Sequence, residues 1–81
     1  MRLHAEFTTE PFVVGEDEAP AHAREAFRVA ESAGLDSELG PFGTSISGDG
    51  SDLLGAIGGV LSAAFENGAT RITLRVERAD G

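Results

Sequence analysis

The chain has 81 residues, fourteen acidic against six basic side chains, a formal net charge of −8 at pH 7 and no cysteine. This composition excludes disulfides, thiolate metal sites and thiol nucleophiles, and its negative field disfavours nucleic acid and anionic membranes while weakly favouring cationic small molecules. The length predicts one domain over residues 1–81 that buries only about 60–65% of its unfolded surface, so we expect association with further copies rather than a large internal ligand cavity.

The first half of the chain predicts a strand followed by a helix. Apolar and polar residues alternate from Arg2 to Thr9, and this period of two is typical of a strand with one buried face. The stretch from Glu10 to Glu18 reads as an acidic loop, after which Pro20 suits the first turn of a helix. Small apolar residues recur at helical spacing as far as Ala33, and Gly34 is a natural residue to follow the helix end.

The second half predicts two short strands, a second helix and a closing strand. Gly-Pro and Asp-Gly pairs separate these elements, and an amphipathic series of apolar residues marks the helix. The predicted elements are a strand at Leu35–Leu39, a strand from near Phe42 to Ser47 or Gly48, a turn at Asp49–Ser51 with a helix N-cap, a helix carrying Leu53–Phe65, and a strand at Arg71–Arg78.

The order strand, helix, strand, strand, helix, strand predicts an α+β, ferredoxin-like sandwich. Right-handed crossovers then place both helices on one face of a four-stranded antiparallel sheet. The other face stays bare unless a partner or ligand covers it, and its side chains could face water or form a polar interface or site. By alternation this face carries His4, Glu6, Thr8, Ser45, Ser47, Arg71, Thr73, Arg75 and Glu77.

Several functions of ferredoxin-like domains are excluded by residue type. RNA-binding versions stack bases on exposed aromatic residues, but this chain has no Tyr or Trp and places Phe7 on the buried side of its strand. Heavy-metal carriers use a Cys-x-x-Cys loop, and acylphosphatase-like hydrolysis needs an Arg after the first strand; both are absent. No run of 18 apolar residues and no signal-like N-terminus occur, so we expect a cytoplasmic protein without a membrane span.

His4, paired with Glu6, and the glycines of the second helix each allow two interpretations. His4 and Glu6 share one side of a strand and could form a proton-transfer site with a nearby serine, but they are read first as polar side chains of the sheet face; we expect no enzyme and no metal site. His22 is expected at the surface. Three helix glycines either reflect a Gly-rich sequence or mark close backbone approach; they are Gly55, Gly58 and Gly59.

The segment from Gly40 to Gly48 has the richest potential for binding. Its glycines allow backbone conformations that other residues avoid, and its hydroxyl groups can both donate and accept hydrogen bonds. Thr44 and Ile46 should share one face of the strand, and Ser45 and Ser47 the other. The segment is either a Gly-Pro turn between two strands or a small hydrogen-bonding cradle open to a ligand.

With this segment the chain resembles the thiamine-binding YkoF-like family of small ferredoxin-like proteins. The matching features are the opening strand Leu3–Phe7, the helix that ends in Ala33-Gly34, the Gly40-Pro41-Phe42-Gly43-Thr44 segment followed by Ile46 and Gly48, and the second helix that ends in Asn67-Gly68-Ala69 before the Arg71-Ile72 strand. Nearly the whole chain is covered in element order, and the Gly-Pro-x-Gly-Thr segment is the most specific part.

The resemblance implies a non-enzymatic protein that binds thiamine or a related pyrimidine and forms homodimers or homotetramers through its sheet. No cofactor is implied beyond thiamine itself as a bound ligand. Family members often carry Glu where this chain has Ser47, so Glu6 or Glu38 would have to supply the acidic partner of a cationic ring. The alternative is an oligomeric interaction or regulatory module without a metabolite of its own. The candidate ligand-binding residues are Phe42, Thr44, Ser45, Ser47, Glu6 and His4.

Overall fold

Two helices and four strands follow one another along the chain in the predicted order. The structure is a computed structural model that describes residues 1–11, 19–40 and 43–79. The order confirms the predicted ferredoxin-like α+β fold. Its elements are β1 (Arg2–Glu10), α1 (Ala21–Ser32), β2 (Asp36–Leu39), β3 (Thr44–Asp49), α2 (Gly50–Glu66) and β4 (Arg71–Arg78).

The strands form one antiparallel sheet in the order β2-β3-β1-β4. Both helices pack on the same face of the sheet. The burial pattern shows this, since alternate residues of β1 and β3 are buried on that face while their neighbours are not. The core between sheet and helices contains Leu3, Ala5, Phe7, Ala26, Ala30, Leu35, Ile46, Leu53, Val60, Ala64 and Ala69.

The helix ends follow local chemistry, with one difference from the prediction. Gly34 has a φ of +83°, and as predicted it follows the end of α1, where a residue without a Cβ adopts this conformation at little cost. The predicted turn at Asp49–Ser51 does not separate β3 from α2. Instead β3 leads directly into the helix, because the Asp49 carboxylate accepts a hydrogen bond from the Ser51 amide at 3.2 Å and thereby caps the helix.

The glycines of α2 differ among themselves. A Cβ added to Gly59 would lie 3.4 Å from Val29 Cγ1, which places this glycine on the side of α2 that faces α1. Gly55 and Gly58 have open space at the same position, and both are exposed. Of these three glycines, Gly59 alone has another element within 4 Å of an added Cβ, and at 3.4 Å that contact would be an ordinary van der Waals one, so close approach within the chain explains none of them.

His22 was expected at the surface, and this expectation is wrong. The residue is only 4% exposed and lies on the buried side of α1. Its Nδ1 is 2.7 Å from Thr9 Oγ1, and its Nε2 is 3.1 Å from the Pro11 carbonyl oxygen. A carbonyl can only accept, so Nε2 carries the proton and, in the neutral ring, Nδ1 accepts from the Thr9 hydroxyl. This pair of bonds joins α1 to the end of β1, and it satisfies a polar group that would otherwise be costly to bury.

Within the described ranges, no helix is long and apolar enough to cross a membrane.

Candidate ligand-binding site

The sheet face opposite the helices presents a row of four polar residues, one from each strand. Directly opposed residues of neighbouring strands point to the same face. The register pairs Ser45 with Glu38 on one side and with Glu6 on the other, and Glu6 is paired in turn with Arg75. We call these residues the central row: Glu38, Ser45, Glu6 and Arg75.

A cavity of about 440 Å³ opens on this face and includes three members of the central row. Two threonines from β1 and β4, which face each other in the register, extend the polar lining by one row. Hydroxyl groups, a carboxylate and a guanidinium therefore meet in one small volume. The lining residues are Glu6, Phe7, Thr8, Gly43, Thr44, Ser45, Thr73 and Arg75.

Phe7 and Thr44 line the cavity with their backbone and not with their side chains. Both residues are 3% exposed and their side chains lie on the helix side, as the predicted alternation of Thr44 with Ser45 requires. Gly43 brings the chain close to β1 at this point, since an added Cβ would lie 3.1 Å from the Phe7 carbonyl oxygen. The floor of the cavity is thus a tightly packed pair of strands.

Glu6 is the electrostatic centre of the site. Its carboxylate accepts a hydrogen bond from His4 Nε2 at 3.2 Å through one oxygen and from Arg75 at 2.8 Å through the other. These bonds, first that from His4 and then that from Arg75 with its positive charge, hold the pKa of Glu6 below its ordinary value of 4.5. Glu6 therefore stays ionised at neutral pH, with its orientation set from both sides.

Because the pKa of Glu6 is lowered in the folded protein, its ionised form should stabilise the fold above its ordinary pKa of 4.5 and this stabilisation should disappear as the pH falls through the lowered value. We expect a small effect, since the carboxylate is exposed and screened by solvent. Urea unfolding of the wild type and of Glu6→Gln should differ at neutral pH and converge in acid. A difference that persisted unchanged into acid would contradict the contribution of the ionised carboxylate.

The predicted ligand-binding residues are only partly brought together. Glu6 and Ser45 line the cavity, and Thr44 reaches it through its backbone. His4 and Ser47 face each other one row away, beside Asp36 and Glu77, and His4 is connected to the cavity through Glu6. Phe42 lies outside the described residues.

Sequence reasoning placed Thr8, Thr73 and Arg75 on this face without selecting them for the site. All three line the cavity, and Gly43 lines it as well. Alternation alone shows which face a residue occupies, but only the pairing of β1 with β4 shows that Arg75 lies opposite Glu6. The signal available in the sequence was the positive charge of Arg75 on the closing strand, which complements the negative charge of Glu6.

Acidic side chains and histidines are the potential metal ligands of this chain. In residues 1–11, 19–40 and 43–79, no group of three or more His, Asp or Glu side chains is arranged to hold a metal ion. Chemically, the site offers oriented hydrogen bonds and charge.

A family model described as thiamine-binding protein matches residues 5–80. Curated proteins yielded no match. A protein from Streptococcus pneumoniae is 20% identical with a TM-score of 0.70, covering 100% of this chain and 88% of that one. A hypothetical protein from Methanocaldococcus jannaschii is 24% identical with a TM-score of 0.66, and the match covers 99% of this chain and 84% of that one. A Thermotoga maritima protein with a proposed role in thiamine biosynthesis or salvage is 17% identical with a TM-score of 0.53. That match covers 95% of this chain and 81% of the other. At these identities the likeness shows the fold.

Proposed function

The chain belongs to the thiamine-binding protein family, and from this premise we propose that it binds thiamine or a related pyrimidine on the open sheet face, without catalysis, as a cytoplasmic homo-oligomer. The observation that carries the proposal is the cavity of about 440 Å³ beside the central row. This volume falls within the range of about 300–1,000 Å³ that is typical of small-molecule pockets.

The charges of the central row favour a cation. Glu38 and Glu6 contribute two carboxylates to the row and Arg75 one guanidinium, so the row is negative at neutral pH. The formal charge of the whole chain, −8, adds a field of the same sign. Thiamine carries a permanent positive charge on its thiazolium ring, whereas its phosphate esters add negative charge. The proposal therefore ranks thiamine above its phosphates.

The hydroxyl groups of the cavity suit an aminopyrimidine. Such a ring has an amino group that donates and ring nitrogens that accept, and Thr8, Ser45 and Thr73 can each do both. Ser47, which stands where family members often have Glu, lies one row away from the cavity. The acidic partner is then Glu6 or Glu38, and we assign this role to both central-row carboxylates.

Thermal unfolding with thiamine tests the proposal. Thiamine at about 100 times its Kd should stabilise the protein by about 2.7 kcal/mol, which is a rise in Tm of roughly 10–20 °C for a chain of this size. Thiamine diphosphate should give a smaller rise at the same concentration. Glu38→Gln should weaken the response, because it removes one carboxylate of the row while leaving the core untouched.

The matched control is Glu66→Gln, which changes an exposed carboxylate on the last turn of α2 and should respond to thiamine as the wild type does. The absence of any rise with millimolar thiamine or hydroxymethylpyrimidine would overturn the proposal. An assembled protein that ignored both compounds would favour the alternative, an oligomeric interaction module without a metabolite.

A further inference from the structure

The two residues that follow α2 form a chemically reactive pair. Asn67 is followed by Gly68, and it is the only residue of the chain with a side-chain amide, since the sequence has no other asparagine and no glutamine. Glycine has no side chain to hinder its backbone nitrogen, so in an Asn-Gly pair this nitrogen reaches the neighbouring side-chain carbonyl more readily than in any other pair. How fast the pair reacts then depends on how the fold holds it.

The reactive nitrogen is weakly held and open to water. Asn67 and Gly68 are both exposed, and they lie where α2 leads into the connection with β4. Gly68 has a φ of +104°, and nothing lies within 4 Å of the position that a Cβ would take. Its amide donates to the Phe65 carbonyl at 3.4 Å, which is longer than the usual range for such a bond.

Other hydrogen bonds at the end of α2 oppose the reaction. Asn67 Nδ2 donates to the Ala63 carbonyl at 2.7 Å, and the Ala69 amide donates to the Ala64 carbonyl at 3.0 Å, in the arrangement that closes many helices. At the ψ of 22° that Asn67 adopts, the nitrogen of the next residue lies away from the asparagine side chain. Ring closure therefore requires this turn to open, and exposed helix ends open at a low cost in free energy.

We propose that Asn67-Gly68 is a site of spontaneous modification, at which the asparagine is converted to aspartate and isoaspartate. The Gly68 amide gives its proton to hydroxide, and its nitrogen forms a bond to Asn67 Cγ. The bond from Cγ to Nδ2 breaks, and the side-chain nitrogen leaves as ammonia, which takes a proton from water and so restores the hydroxide. Water then opens the cyclic imide at either of its two carbonyls. One water is consumed and one ammonia is released, without any oxidant or reductant.

The fold protects a comparable pair at the other end of the same helix. Gly50 follows Asp49, and an aspartate side chain forms the same cyclic imide. Gly50, however, is buried, and its amide donates to the Met1 carbonyl at 2.7 Å. The Asp49 carboxylate is in turn held by the Ser51 amide at 3.2 Å. The structure therefore leaves the C-terminal end of α2 reactive and protects its N-terminal end.

Conversion changes both the charge and the backbone at the end of α2. The new carboxylate lies beside Glu66 at the negative end of the helix dipole, and it cannot donate to the Ala63 carbonyl as the amide does. In isoaspartate the main chain runs through the side-chain carbon, so an extra methylene interrupts the turn that leads to β4. We expect the converted protein to unfold roughly 2–8 °C below the fresh protein.

Ageing of the folded protein in warm neutral buffer tests the proposal. Intact-mass spectrometry follows the gain in mass as the single amide becomes an acid, and peptide mapping locates the isoaspartate. The matched variant is Asp49→Asn, which creates a second Asn-Gly pair on the same helix and keeps a residue type that is favoured at N-caps. In this variant, position 67 should convert at least about tenfold faster than position 49, because a helix end opens at a lower cost than a buried, hydrogen-bonded glycine.

The chain unfolded in guanidinium chloride supplies the reference rate, since neither pair is held there. In that state the two positions of the Asp49→Asn variant should convert at similar rates. The proposal is overturned by a folded wild type that gains no mass over several half-lives of the unfolded reference, or by equal conversion at positions 49 and 67 in the folded variant. None of these measurements involves thiamine, so they are independent of the proposed function.

Discussion

Leu53→Ala should lower the free energy of unfolding by about 2–5 kcal/mol, because it removes a fully buried side chain from the core and leaves a cavity. Small domains have a total stability of only about 5–15 kcal/mol, so this single change removes a large share of it. In a chain of this size the corresponding fall in Tm is at least about 8 °C. Urea or thermal unfolding, followed by circular dichroism, measures the difference.

The next residue along α2 supplies the control. Leu54 is 57% exposed and points away from the sheet. Leu54→Ala removes the same atoms, has the same helix propensity change and should alter the free energy of unfolding by no more than about 0.5 kcal/mol. Equal effects at the two positions would mean that α2 does not pack on the sheet in the orientation described.

His22→Ala should also destabilise the protein, by about 1–3 kcal/mol for the buried hydrogen-bonding groups it leaves unsatisfied. The Thr9 hydroxyl loses its acceptor and the Pro11 carbonyl loses its donor. The Thr9 side chain is itself buried, so water does not readily replace the histidine. Chemical denaturation at neutral pH measures this effect.

Two comparisons make the His22 result specific. His4→Ala changes the other histidine of the chain, which lies on the open face beside Glu6, and should have a clearly smaller effect on unfolding. The double variant Thr9→Val with His22→Ala should lose less than the sum of the single losses, by about 0.5 kcal/mol or more, because both changes break the same bond. Strictly additive losses would show that the Thr9–His22 bond contributes nothing.

The order of the elements and the choice of which β1 residues face the core could be predicted, because both depend on local patterns. Leu3, Ala5 and Phe7 alternate with polar residues, and a strand turns successive side chains to opposite faces whatever its neighbours are. The same reasoning placed Thr44 and Ser45 on opposite faces of β3. Neither prediction required knowledge of which strand lies next to which.

His22 shows where local reasoning failed. The residue stands four positions before Ala26 and eight before Ala30, which puts it on the same buried stripe of α1. Its polar character favoured the surface, and the expectation ignored the spacing. What allows the burial is Thr9, thirteen residues earlier on the buried side of β1. A buried polar residue is tolerated where a distant partner satisfies it, and that partner is a property of the packed structure.

The glycines and hydroxyls of the segment from Gly40 to Gly48 predict a binding site, and part of this segment lines the cavity. Ser45 belongs to the central row, while Gly43 closes the packing against β1. The contributions of Arg75 and Thr73 come from a strand about thirty residues away. The sequence by itself determined the elements, the faces of their residues and the family resemblance, since these follow from short-range periodicity and motif spacing. Only the tertiary structure decided that Glu6 meets Arg75 and that Thr9 is the partner of the buried His22 ring, because both depend on strand pairing and packing between residues far apart along the chain.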